Sequence, residues 1–268
     1  MNRGSKRKSS TDEAKNSARK KRKTKEEQEK QKSDAPSPRD VSPLSRNVKG
    51  KAGGKKFVQK TTQKTHRERC AGSQSATEVN RNKKGQLVFE GHPEFQPNMT
   101  PKEVLQAGSF GGTYFRPIYS SITKQSYKDV WKELPQDWLQ GLDIPKQVSS
   151  ATYREDVNIY KVKCGGSLEM WESSGWIKPQ DPYGWFQWYC RFFEGRRTED
   201  DSRQISRWAK CAGVKGRWRN NLISKVVRSG QRFDDVSVSP VVRQTLQHWG
   251  YRLTEEDYRE GAKRVTNK

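Results

Sequence analysis

The chain has no stretch approaching the roughly 18 consecutive apolar residues of a membrane-spanning helix, so no helical span and no membrane partner are expected. Its first ten residues, MNRGSKRKSS, lack the apolar segment of a secretory leader. Four cysteines (Cys70, Cys164, Cys190 and Cys211) stand far apart with no C-x-x-C pair, which argues against a disulfide framework and predicts reduced thiols. Those cysteines with His248 include no short-range ligand pair, so no metal site is expected. Neither His92 nor His248 falls in a Ser or Cys pattern, so a hydrolase triad finds no support, and no cofactor is expected. Apolar residues are also scarce: 30% of the chain is hydrophobic and 32% charged, the reverse of the usual balance in a globular protein.

The scarcity is uneven. All nine Trp and eight of the nine Phe lie after residue 86. Residues 1–86 hold 26 Lys and Arg against 9 acids, a net +17, while the remaining 182 residues hold 28 against 22, a net +6. Ordering a backbone costs about 1–2 kcal/mol per residue, which only a segment with apolar side chains can offset. A disordered basic tail over 1–86, a Trp-rich domain over 87–255 and a helix end with a short basic tail over 256–268 are therefore expected. Within the tail, Lys6-Arg7-Lys8 and Arg19-Lys20-Lys21-Arg22-Lys23 flank ten residues, a spacing that suits the two acidic pockets of a nuclear import receptor. A nuclear location and that receptor as a partner follow as expectations. Ser37-Pro38 and Ser42-Pro43 are candidate phosphorylation sites in the same segment.

The fold class read from pattern is mainly α with a minor β element. Thr100-Pro101-Lys102-Glu103 combines an N-cap, a proline at the first helical position and a capping-box glutamate. GSFGG (108–112) lacks the G-K-[ST] ending of a phosphate cradle and reads as a turn before a strand at Thr113-Tyr114-Phe115. Ser126 can cap a helix running to Leu134, and the alternation in VNIYKVKCGG (157–166) predicts a strand. Ser167 opens a short helix closed by Gly175. Helices are then expected from Asp181-Pro182, Thr198, Gly216, Ser239-Pro240 and Thr254.

The aromatic run 183–197 predicts a helix that is apolar nearly all round, hence a core helix, with Trp185 and Trp188 as candidates for stacking on unpaired bases. Directly after it, residues 191–228 carry eleven cations against four acids, a net +7 that exceeds the charge of the whole domain. Arginine forks suit phosphates, and Arg and Asn suit base edges, so nucleic acid is the expected partner and DNA is slightly favoured over RNA. The candidate contacts are Arg196, Arg197, Arg203, Arg207, Lys210, Arg217 and Arg219, on two helices that resemble a helix-turn-helix in outline. Two other readings stay open. One is an adaptor docking through a Trp-rich face. The other is a metal-dependent nuclease built from Glu169, Glu172 and Asp181 with Lys163.

FGGTYFRPI (110–118), SGWIKPQDPYGWFQWYCRFFEGRR (174–197), RQISRW (203–208) and RQTLQHWGY (243–251) resemble motifs of a family of uncharacterised eukaryotic proteins from fungi, algae and other protists. The resemblance spans about residues 87–252 and implies no activity, so it carries no catalytic residues onto this chain.

Overall fold

A computed structural model describes residues 80–266; the import clusters and the candidate phosphorylation sites lie outside the described residues. Eight α-helices are present among the described residues: α1 (Pro101–Gln106), α2 (Gln136–Leu139), α3 (Leu168–Ser173), α4 (Trp185–Phe193), α5 (Asp201–Cys211), α6 (Arg217–Ser229), α7 (Pro240–His248) and α8 (Glu255–Thr266). The β element is one antiparallel hairpin, β1 (Ile118–Ser120) with β2 (Gln125–Tyr127), in which Tyr119 faces Ser126. The fold is mainly α, as the pattern implies.

Local chemistry sets several boundaries. Thr100 accepts from the Glu103 N–H while Glu103 accepts from the Thr100 N–H, closing the capping box of α1. Ser167 caps α3, and Gly230 ends α6 in the left-handed conformation. Where sequence and structure part, a longer-range partner is responsible. Asp181 does not cap α4, because its carboxylate is taken by Arg191 and Arg196; the helix begins after Gly184 (φ 87°), with Gln187 accepting from the Tyr183 N–H. Ser126 pairs in β2 instead of capping a helix, leaving only a 3₁₀ turn at Val130–Glu133. Thr113–Phe115 is a turn, and the strand comes later, at Ile118.

The alternating segment 157–166 is irregular. Its N–H groups find other acceptors: Ile159 the Gly108 carbonyl, Tyr160 the Gln244 side chain and Cys164 the Tyr153 hydroxyl. Period-2 alternation needs a neighbouring strand to become a sheet, and here α7 and the glycine turn take that place. In that turn Phe110 (φ 56°), Gly111 (φ 58°) and Gly112 (φ 76°) all lie in the left-handed region. A Cβ at Gly112 would sit 2.0 Å from the Lys146 carbonyl oxygen, so close backbone approach demands glycine there.

The core centres on α4, whose Trp188, Tyr189, Cys190 and Phe192 are essentially inaccessible. Phe95 meets Trp188, Tyr189, Phe192 and Trp208 at ring separations of 5.2–5.6 Å. The domain extends past both expected boundaries. Before residue 87, Arg81 pairs with Glu103 at 2.8 Å. After 255, Asp257 is buried and α8 packs on α6, so the C-terminal helix belongs to the core and is not an appended end.

His248, at the end of α7, accepts the Phe110 N–H at 2.9 Å and stacks on the Phe110 ring. Burial pushes its pKa down from 6.5 to about 3. The folded chain thus keeps His248 neutral while the unfolded chain takes up a proton below about 6.5, so stability is lost as pH falls from about 6.5 towards about 3. At pH 5 the loss from this group is about 2 kcal/mol. Urea titrations at pH 7 and pH 5 should show it, and His248→Gln should flatten that share of the slope.

Candidate nucleic-acid interface

Helix α5 forms because Ile205, Trp208, Cys211 and Ala212 supply one apolar stripe, all buried, at three-to-four-residue spacing. Arg203, Arg207 and Lys210, at i, i+4 and i+7, share the opposite side with exposed Ser202 and Ser206. Arg203 pairs with Asp200 at 2.7 Å. Arg207 has a different setting. Its guanidinium carbon lies 5.3 Å from the Trp176 ring centre and 5.5 Å from that of Trp249, within cation–π range of both. Its hydrogen-bond partner is the Gln204 side chain at 2.9 Å, and among the described residues no carboxylate pairs with it. Burial, with Arg203 adding repulsion, pulls its pKa down to about 10. Arg207 is thus a half-buried cation between indoles, near the Asp200 carboxylate that pairs with Arg203 but in no ion pair of its own.

Helix α6 splits the candidates differently. Arg219 points inward, 2% exposed, and pairs with Asp257 of α8 at 2.6 Å over the Tyr251 ring. Asn220 caps locally on the Val214 and Gly216 carbonyls. Arg219 is therefore withdrawn from the surface, whereas Val214, Lys215 and Arg217 around the beginning of α6 are exposed. The outer face of α6 carries Arg217, Asn221, Lys225 and Arg228 instead, at four- and three-residue steps. Arg217 rests over its neighbour Trp218, and Lys225 reaches the Ser239 hydroxyl at 3.0 Å.

The remaining candidates are engaged within the domain. Arg196 pairs at 2.6 Å with Asp181, which is 1% exposed. Arg197 is exposed but folds back over the Phe192 ring at 3.8 Å and donates to the Phe192 carbonyl. Trp188 is fully buried with its indole N–H on Asp201 at 2.8 Å, and Trp185 is buried against Tyr189 and Trp249. Neither presents a ring face to a base; both were drawn into the core by the apolar faces around them. The indoles at the surface of the site are Trp176 and Trp249, half-buried, which sequence spacing did not connect to Arg207 because they lie 31 and 42 positions away.

Two of the three acids considered for a metal are also committed. Glu172 accepts from the Ser120 hydroxyl and from the Ser121 hydroxyl and N–H at 2.7–3.0 Å, and Asp181 is held by two arginines. Glu169 is exposed near the start of α3, where hydrogen bonding from Ser167 lowers its pKa. No cluster of three potential metal ligands occurs among the described residues. Comparison of the chain with protein-family models, curated proteins and solved structures finds no match, so the resemblance rests on its motifs alone.

Proposed function

We propose that this protein binds nucleic acid, with DNA as the first substrate to test, along the outer faces of α5 and α6. Arg207 carries the reading: a guanidinium between two indoles and in no ion pair of its own is shaped for a phosphate with a base or sugar beside it. Arg203 and Lys210 extend the cationic line on α5, and Arg217 and Arg228 on α6, while the basic N-terminal segment adds phosphate contacts and a nuclear address. Arg196 and Arg219 serve the fold, and the cations of the proposed contact surface lie on two helix faces.

Fluorescence polarisation of labelled single-stranded and duplex 20-mers with residues 71–268 tests the proposal without the larger part of the basic segment. Arg207→Ala should weaken binding about tenfold, the share of one charge-assisted contact. The combined change of Arg203, Arg207 and Lys210 to alanine should weaken it about 50-fold or more if contacts add. Unchanged affinity in the triple variant, with an unchanged melting temperature, would remove the assignment.

A further inference from the structure

Arg243 of α7 is a second buried cation that forms no ion pair among the described residues. It is 5% exposed, donates its Nε–H to the Val238 carbonyl at 3.0 Å and one terminal nitrogen to the Phe233 carbonyl at 2.7 Å. Both nearby acids are occupied: Asp234 pairs with Arg232 at 3.0 Å, and Asp235 accepts the Ser237 N–H at 2.8 Å. Among the described residues the other terminal nitrogen has no protein partner. A desolvated guanidinium held only by carbonyls is stabilised further by any anion that reaches it.

Arg243 lines a groove of about 350 Å³ between the 159–161 loop, the 234–236 turn and residues 252–253. Lys161 and Arg252 add two more cations to its lining, where Asp234 is the one acid. The walls are aliphatic apart from one half-buried ring, that of Tyr160. Ile159 and Val236, 37% and 61% exposed, are two of the most exposed large hydrophobic side chains described, and Leu253 lies with them. Lys161 holds a left-handed backbone (φ 52°), fixed by Gln244 on the preceding N–H and by its own ammonium on the Asp156 carbonyl. A non-glycine residue in that region is strained, and the contacts that hold it there shape the groove.

We propose that this groove docks an acidic, aliphatic segment of a partner protein, one carboxylate meeting Arg243 and a neighbouring aliphatic side chain covering Ile159 and Val236. The cationic lining supplies charge complementarity to carboxylates, and three aliphatic side chains against a single ring favour a peptide over a nucleic-acid strand, whose bases stack best on flat rings. The groove shares no residue with the α5 and α6 faces, so it stands or falls independently of them.

The test uses the full-length chain and a fluorescein-labelled twelve-residue peptide repeating Asp-Ile-Glu-Leu, at physiological salt. Val236→Glu is the primary variant, because Val236 is exposed whereas Arg243 also holds the 233–238 segment. Binding should weaken about tenfold or more in Val236→Glu with no change in melting temperature, and equally when asparagine and glutamine replace the acids of the peptide. Equal binding by Val236→Glu and the parent chain would show that the peptide merely finds the basic segment, and would overturn the proposal. Displacement of the Val236-sensitive fraction by an oligothymidine would assign the groove to nucleic acid instead, and would also overturn it.

Discussion

Alanine in place of Asp257 is expected to destabilise the domain by about 3–5 kcal/mol, the cost of removing one partner from a buried ion pair. Arg219 and Asp257 are 2% and 5% exposed and meet at 2.6 Å. The other carboxylate oxygen accepts the Tyr251 hydroxyl at 2.7 Å, so the substitution leaves two buried donors without an acceptor. The Arg219 Nε already lacks one. Urea unfolding followed by far-UV circular dichroism measures the loss. Replacing both partners, as Arg219→Met with Asp257→Leu, should recover much of it, since an apolar pair of similar volume has no charge to desolvate. A small effect of Asp257→Ala would mean that α8 is peripheral, as the expected boundary at residue 255 implied.

Trp188→Ala should be about as damaging. Deleting a fully buried indole costs about 3–5 kcal/mol through lost burial and the cavity left behind. The ring packs on Phe95 and Phe192, and its N–H holds Asp201, whose carboxylate also accepts the Thr198 N–H at 2.9 Å at the start of α5. A melting temperature lower by about 10 °C or more is expected for a domain of this size. Trp188→Phe keeps one ring and removes the indole donor and part of the buried volume, so its cost should fall to about 1–3 kcal/mol. If instead Trp188→Ala melted like the parent and bound DNA more weakly, the buried position described for this ring would be wrong.

Helix caps were legible because their signals are local: Thr100 with Glu103 and Ser167 before α3 each act within a few residues. The core role of the 183–197 run was legible for the same reason, since its aromatic positions cover nearly the whole helix surface. Charge partners were not. Asp181 carries the cap signature Asp-Pro, yet two arginines from the far end of α4 and beyond outcompete the helix N–H groups for it. Arg219 sits among basic neighbours that read as a contact surface, and nothing nearby signals that an aspartate 38 positions later turns it inward. The Arg207 site has the same origin: the segments following α3 and α7 bring Trp176 and Trp249 to Arg207 of α5 only once the domain has packed. A surface arginine and a structural one look alike in sequence, and the location of the counter-ion separates them.

The dependence of DNA affinity on salt tests the central claim most directly. Each phosphate neutralised contributes a slope of about −0.9 to log K against log salt concentration on duplex DNA. For residues 71–268 the account predicts a slope of about −2 to −4, reduced by about 2 or more when Arg203, Arg207 and Lys210 are changed together. A slope near zero in the parent domain, or the same slope in both proteins, would contradict it.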